Sequence, residues 1–172
     1  MTTFPSSPLN PVVLIPGIDD DASKFRIMQP YLERQGWQTH ALSLTPSNGD
    51  AGLEPLASQV QTYIDRTFSP DQPIDLVGFS MGGIISRYYL QRLDGVRRVQ
   101  RFISIASPHH GTCIGYLRWN PGAIQMRRGS TFLRGLNEDL EQLRSLNVTS
   151  IWTPFDLMIV PAHSSRLPIG EN

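Results

Sequence analysis

Gly78-Phe79-Ser80-Met81-Gly82, followed at once by Gly83, sets one serine between glycines in the pattern G-x-S-x-G. The spacing suits a serine that attacks an acyl carbon. A serine hydroxyl is a poor nucleophile until a base takes its proton. It must also stand clear of the backbone, and a tight turn between a strand and a helix holds it there. A side chain at position 78 or 82 would crowd such a turn, where strand and helix nearly touch. The helix after Ser80 points backbone N–H groups at the reacting carbonyl, and Met81 supplies the first donor for an oxyanion. The flanks agree with the letters. Residues 74–79 read as a short buried strand, and 81–93 as a helix with Ile84, Ile85, Tyr88 and Tyr89 on its apolar side.

Other chemistry-bearing clusters carry less. Asp19-Asp20-Asp21 could hold a cation, but a metal site needs more oxygens at fixed spacing, and a solvated acidic loop is the simpler reading. The sequence has no zinc-ligand spacing and no Gly-rich phosphate loop, so no metal and no cofactor are expected. Cys113 is the single cysteine, which rules out a disulfide within the chain. His109 and His110 follow the strand beside the elbow strand and read as structural or lid residues, and His40 as a strand-face residue.

These residues need a scaffold. Residues 1–10 read as a loose Pro/Ser-rich arm, and 12–15 as a strand buried on both faces. A helix is expected from 23 or 24 to 35, a strand over 37–44, a turn-rich loop over 45–52 and a helix over 54–68. Beyond the elbow helix come a strand over 98–106 and a strand over 148–155, with Asp156 directly after it. Between them Ser130 caps one short helix and Asn137 another. Strands alternating with helices predict a mostly parallel sheet with helices on both faces, an α/β fold in a single domain over 1–172. Ser80 and the Pro16-Gly17-Ile18 turn then fall at the carboxyl ends of strands, where such sheets bind ligands. Residues 107–129 break the rhythm. They read as a lid or substrate-facing insertion, with Tyr116, Leu117, Trp119 and Ile124 apolar enough to meet an acyl chain.

The composition excludes several classes. Fifteen basic residues balance 15 acidic ones, which argues against a nucleic-acid partner. The start has neither a basic nor an apolar leader segment, and no stretch is long enough to span a membrane, so a cytoplasmic location is expected.

Val12 to Ile18, Gly78 to Gly83, Ser107 to Thr112 and Thr153 to Ile159 together resemble the small bacterial triacylglycerol lipases and esterases of the α/β-hydrolase superfamily. The resemblance implies a serine ester hydrolase, with Ser80 as nucleophile and Asp156 as the acid of a triad. The backbone N–H groups of Ile18 and Met81 would form the oxyanion hole. It implies a small-molecule or lipid ester substrate and transient contact with a lipid interface, and leaves the oligomeric state open. Acyltransferase, thioesterase and amidase chemistry use the same residues. One departure stands out. Triads on this fold run Ser, Asp or Glu, then His, and the family's histidine follows a further strand. Here only His163 follows Asp156, in a loop within reach of it, and the chain reads as shortened, lacking the last strand and helix. A catalytically inactive chain without the triad histidine is the rival expectation, and such a chain would expose sheet edge.

Overall fold

A computed structural model describes residues 9–172, so most of the arm expected over 1–10 lies outside the described residues. Strands β1 (Val12–Ile15), β2 (Thr39–Ala41), β3 (Ile74–Phe79), β4 (Val99–Ile105) and β5 (Asn147–Ile151) form one parallel sheet in the order β2-β1-β3-β4-β5. The helices are α1 (Met28–Arg34), α2 (Glu54–Thr67), α3 (Met81–Arg92), α4 (Pro121–Gln125) and α5 (Thr131–Glu138). None is long and apolar enough to cross a membrane.

Alternate strand residues feed two apolar layers. Val13, Ile15, Ile74, Leu76, Phe102 and Val148 meet the buried faces of α2, α3 and α5. Val12, Leu14 and Val77 face the other way, where Phe25 and Met28 cover them. The chain steps from β1 out to β2, then returns to the far side of β1 as β3. That reversal opens a crevice beyond the carboxyl ends of β1 and β3, the place where open α/β sheets bind ligands.

Several boundaries differ from the sequence expectation for local reasons. The helix expected to reach 35 is broken into a 3₁₀ turn at Ala22–Phe25 and α1. Pro30 has no N–H to give to residue 26 and would crowd its carbonyl, so the helix restarts just before it. The second strand stops at Ala41 rather than 44 because β1 ends at Ile15 and Pro16 cannot continue the ladder; Leu42 N–H to Leu14 O (3.0 Å) is the last rung. β5 stops at Ile151 rather than 155, since β4 turns away at Ala106 (φ 47°) after one final bond from Ala106 N–H to Ile151 O. Ser130 caps α5, its hydroxyl accepting the Leu133 N–H (3.2 Å). Asn137 caps nothing; it lies inside α5 and its side chain bonds elsewhere. The tail does not hang free either. Leu167 and Ile169 are buried in the main core, and Glu171 pairs in parallel with the outer edge of β5 through Ser150 N–H (2.8 Å) and Val148 O (3.0 Å).

Candidate active site

Ser80 alone turns the chain from β3 into α3, at φ 53° and ψ −122°. Few non-glycine residues adopt such a conformation, and it carries strain. Two hydrogen bonds brace it: Ser80 N–H donates to Ile105 O (2.8 Å), and Gly83 N–H donates to Ser80 O (3.0 Å). The glycines answer to contact. A Cβ on Gly78 would lie 2.5 Å from Gly83 Cα, and one on Gly82 would run into the carbonyl oxygens of Ile15 and Pro16. Strain gathers here. Asp19 (φ 59°) and Ala106 (φ 47°) are also in the left-handed region, and both line cavities that Ser80 shares. Strained backbone clusters at functional sites because only a rigid surround can hold it.

The turn after β1 lies against the serine. A Cβ on Gly17 would come 3.2 Å from Ser80 Cβ. Asp19 N–H is committed to Ser47 O (3.0 Å) and Asp20 N–H to Gly17 O (3.4 Å), while among the described residues Ile18 N–H donates to nothing. Met81, the first residue of α3, is one of the donors that a helix start leaves without a helical acceptor.

Ser80 opens onto two cavities. One, of about 330 Å³, has Ala123, Met126 and Thr112 at its buried end and Leu117 and Met158 at its exposed mouth. The other, of about 230 Å³, is shared by Ser80, Ile18, Ala106 and Asp156. Asp156 is half-buried, and its Oδ1 accepts the N–H groups of Met158 (2.8 Å) and Ile159 (2.9 Å), which fixes its turn. Ser80, Ile18 and Asp156 are thus brought to one rim. His163 is not. It is exposed, in a 3₁₀ turn at Ala162–Ser165, and lies close enough to His110 for its charge to oppose protonation there. Neither histidine lines a cavity that Ser80 opens onto, and no histidine among the described residues bonds to Asp156.

The other histidines have structural settings. His109 is fully buried, with Nε2 2.9 Å from Ser104 Oγ; burial, then the charges of Arg87 and His110, hold its pKa well below the usual histidine range. His40 bonds Tyr63 Oη through Nδ1 (2.8 Å), and burial lowers its pKa. Each of the three clustered aspartates also has a protein partner. Asp19 pairs with Arg118 (2.5 Å), Asp20 with Lys24 (3.2 Å), and Asp21 caps the 3₁₀ turn by accepting Ser23 N–H (2.8 Å).

Residues 107–129 do supply a wall of the larger cavity, but through different side chains from those expected. Of Tyr116, Leu117, Trp119 and Ile124, only Leu117 lines it. Tyr116 and Trp119 instead flank the guanidinium of Arg127, at 4.9 and 4.7 Å. Sequence reasoning missed Thr112, Ala123 and Met126, whose burial depends on where the wall folds back.

A family model described as palmitoyl protein thioesterase matches residues 11–120, which hold β1, the turn after it, the serine elbow and the wall as far as Asn120. The chain belongs to the palmitoyl protein thioesterase family. It is 29% identical over 115 residues to the lysosomal thioesterase PPT2 of Mus musculus and 30% to that of Homo sapiens, covering 63% of this chain. The chain spans about 38% of the length of those relatives. Among solved structures it is similar to Aspergillus fumigatus lipase B (TM-score 0.78, 20% identity, 92% of this chain and 41% of that one). It is also similar to the mature Bacillus licheniformis lipase BlEst2 (TM-score 0.63, 19% identity, 85% and 66%). These likenesses show the α/β-hydrolase fold. The expected superfamily stands, and within it the family is a thioesterase one with lipases as structural neighbours. Asp156 and His163 lie beyond the matched residues.

Proposed function

We propose that the chain carries the nucleophile site of a serine hydrolase that cleaves fatty acyl thioesters, and oxygen esters of the same acyl groups. The observation that carries this reading is the strained Ser80 opening onto an apolar cavity of about 330 Å³ beside two backbone donors. Ser80 Oγ attacks the acyl carbon, and the N–H groups of Ile18 and Met81 hold the oxyanion. The thiol or alcohol leaves with a proton, and water then releases the acid from the acyl-serine. Asp156 orients and charge-stabilises the base. His163 has the right order in the chain for that base; to serve, it must leave its place beside His110. The acyl chain lies between Thr112, Ala123 and Met126. Leu117 and Met158, 75% and 62% exposed at the mouth, suit transient contact with a lipid surface presenting the substrate.

Intact mass after fluorophosphonate treatment tests the reading, with Ser80→Ala and His163→Ala beside the parent. A single adduct that disappears in Ser80→Ala supports an activated Ser80, and its loss in His163→Ala assigns the base. A folded parent that takes no label overturns the reading. Thioester and ester analogues of one acyl group, with water against alcohol or amine acceptors, then separate thioesterase from esterase, acyltransferase and amidase action.

A further inference from the structure

Arg87 is the largest of the fully buried side chains, on α3, the helix that begins directly after Ser80. Among the described residues it has no carboxylate partner. Nη1 donates to Asn137 Oδ1 (2.9 Å), Nη2 to Leu136 O (2.8 Å) and Nε to Gln91 Oε1 (3.1 Å). Burial pushes its pKa down to about 9, which leaves it charged at neutral pH. An uncompensated buried cation is costly, and an apolar side chain would fill the space without that cost. What the guanidinium adds is direction. By donating to Oδ1 it turns the Asn137 amide so that Nδ2 donates outward, to His109 O (3.1 Å).

His109 belongs to the loop that walls the site. Pro108 and Thr112 of that loop line the larger cavity. Thr112 Oγ1 donates to Met158 O (2.9 Å) and accepts Val160 N–H (3.0 Å), and Cys113 N–H donates to Val160 O (2.8 Å). The turn so gripped is the one whose N–H groups hold Asp156. An unbroken series of contacts therefore runs from α3 through α5 to the wall and on to the Asp156 turn.

We propose that Arg87 is a positioning residue: by fixing the Asn137 amide it sets the 107–112 loop, and through Thr112 the 156–160 turn, relative to Ser80. Nucleophile and acyl-chain wall are then held from one rigid helix. The proposal rests on the reading of Ser80 and its cavity given above.

Asn137→Asp and Arg87→Met test it. Asn137→Asp gives the buried guanidinium a counter-charge, so the fold is retained, but it removes the donor to His109 O. Two readouts apply, hydrogen exchange by mass spectrometry and the rates at which a methyl-chain and a dodecyl-chain fluorophosphonate label Ser80. The expected result for both variants is exchange at least tenfold faster in 107–113 and 156–160, with β3 unchanged. The dodecyl-to-methyl rate ratio falls about tenfold, while Asn137→Asp melts no lower than the parent. Unchanged exchange at 156–160 in both variants overturns the proposal, as does an unchanged rate ratio in a parent that labels. A parent that takes neither label defeats the Ser80 reading alone, and the exchange comparison still decides the positioning role.

Discussion

Replacing Ser80 with glycine should make the protein more stable, and the size of the gain follows from the elbow geometry. At φ 53° and ψ −122° Ser80 holds a Cβ in a conformation that glycine alone adopts freely. Such a residue costs on the order of 1–3 kcal/mol. Glycine removes that cost but adds freedom to the unfolded chain, which takes back about 0.5–1 kcal/mol. The ranges leave a net gain of about 0–2.5 kcal/mol, with a central value of about 1 kcal/mol. In a domain of this length each kcal/mol moves the melting temperature by about 2–4 °C, so the central gain raises the melting temperature of Ser80→Gly by about 2–4 °C. Ser80→Ala is the control. It keeps the Cβ and the strain, and the Ser80 hydroxyl makes no hydrogen bond among the described residues, so its stability should stay within about 0.5 kcal/mol of the parent. Calorimetry of the three proteins in one buffer gives the answer without any substrate. If Ser80→Gly melts no higher than Ser80→Ala, the elbow stores no usable strain and the argument from backbone geometry to an active nucleophile loses its basis.

Gly82→Ala should destabilise by about 1–3 kcal/mol, because its methyl group meets the carbonyl oxygens of Ile15 and Pro16 and backbone on neither side can give way cheaply. An unchanged urea midpoint would mean that α3 does not press on the end of β1 as described. Stability should also fall as the solution is acidified. Burial holds the folded pKa of His109 well below 6.5, so beneath that pH the unfolded chain takes up a proton that the native chain refuses. Each such histidine removes up to about 1.4 kcal/mol per pH unit, a loss absent above the unfolded pKa and growing as pH falls. His109→Gln should flatten this slope between pH 6.5 and 5, with a remainder from His40 and His110, whose pKa values are lowered too. Equal slopes for variant and parent would refute the assignment.

The sequence by itself determined the elements whose causes are local. The glycines around Ser80 announce the elbow because the atoms they must avoid belong to the strand and helix that immediately flank it, and to the end of β1. The four-residue spacing of Leu56, Val60 and Ile64 announces α2, and all three are buried. With strands and helices alternating, a parallel sheet and a crevice at its carboxyl end follow, and with them the meeting of the Ile18 turn and Ser80 at one rim; Asp156 is named by the resemblance, and the fold places it there. Tertiary structure decided the rest. An arginine on a helix reads as surface, and only the seating of α5 on α3 buries Arg87. Asn137 reads as a cap because its neighbours in sequence look like a first turn; packing instead commits its amide to Arg87 and His109. His163 stands in the order and within the reach that a triad base requires, yet His110 N–H bonds Ser164 O (3.1 Å) and Ser164 Oγ bonds Gly111 O, holding that turn against the wall loop and away from Ser80. Order along a chain limits which groups can meet. Which of them do meet is set by hydrogen bonds between segments some fifty residues apart (the Ser164–Gly111 pair is separated by 53), and these have no signature in either segment alone.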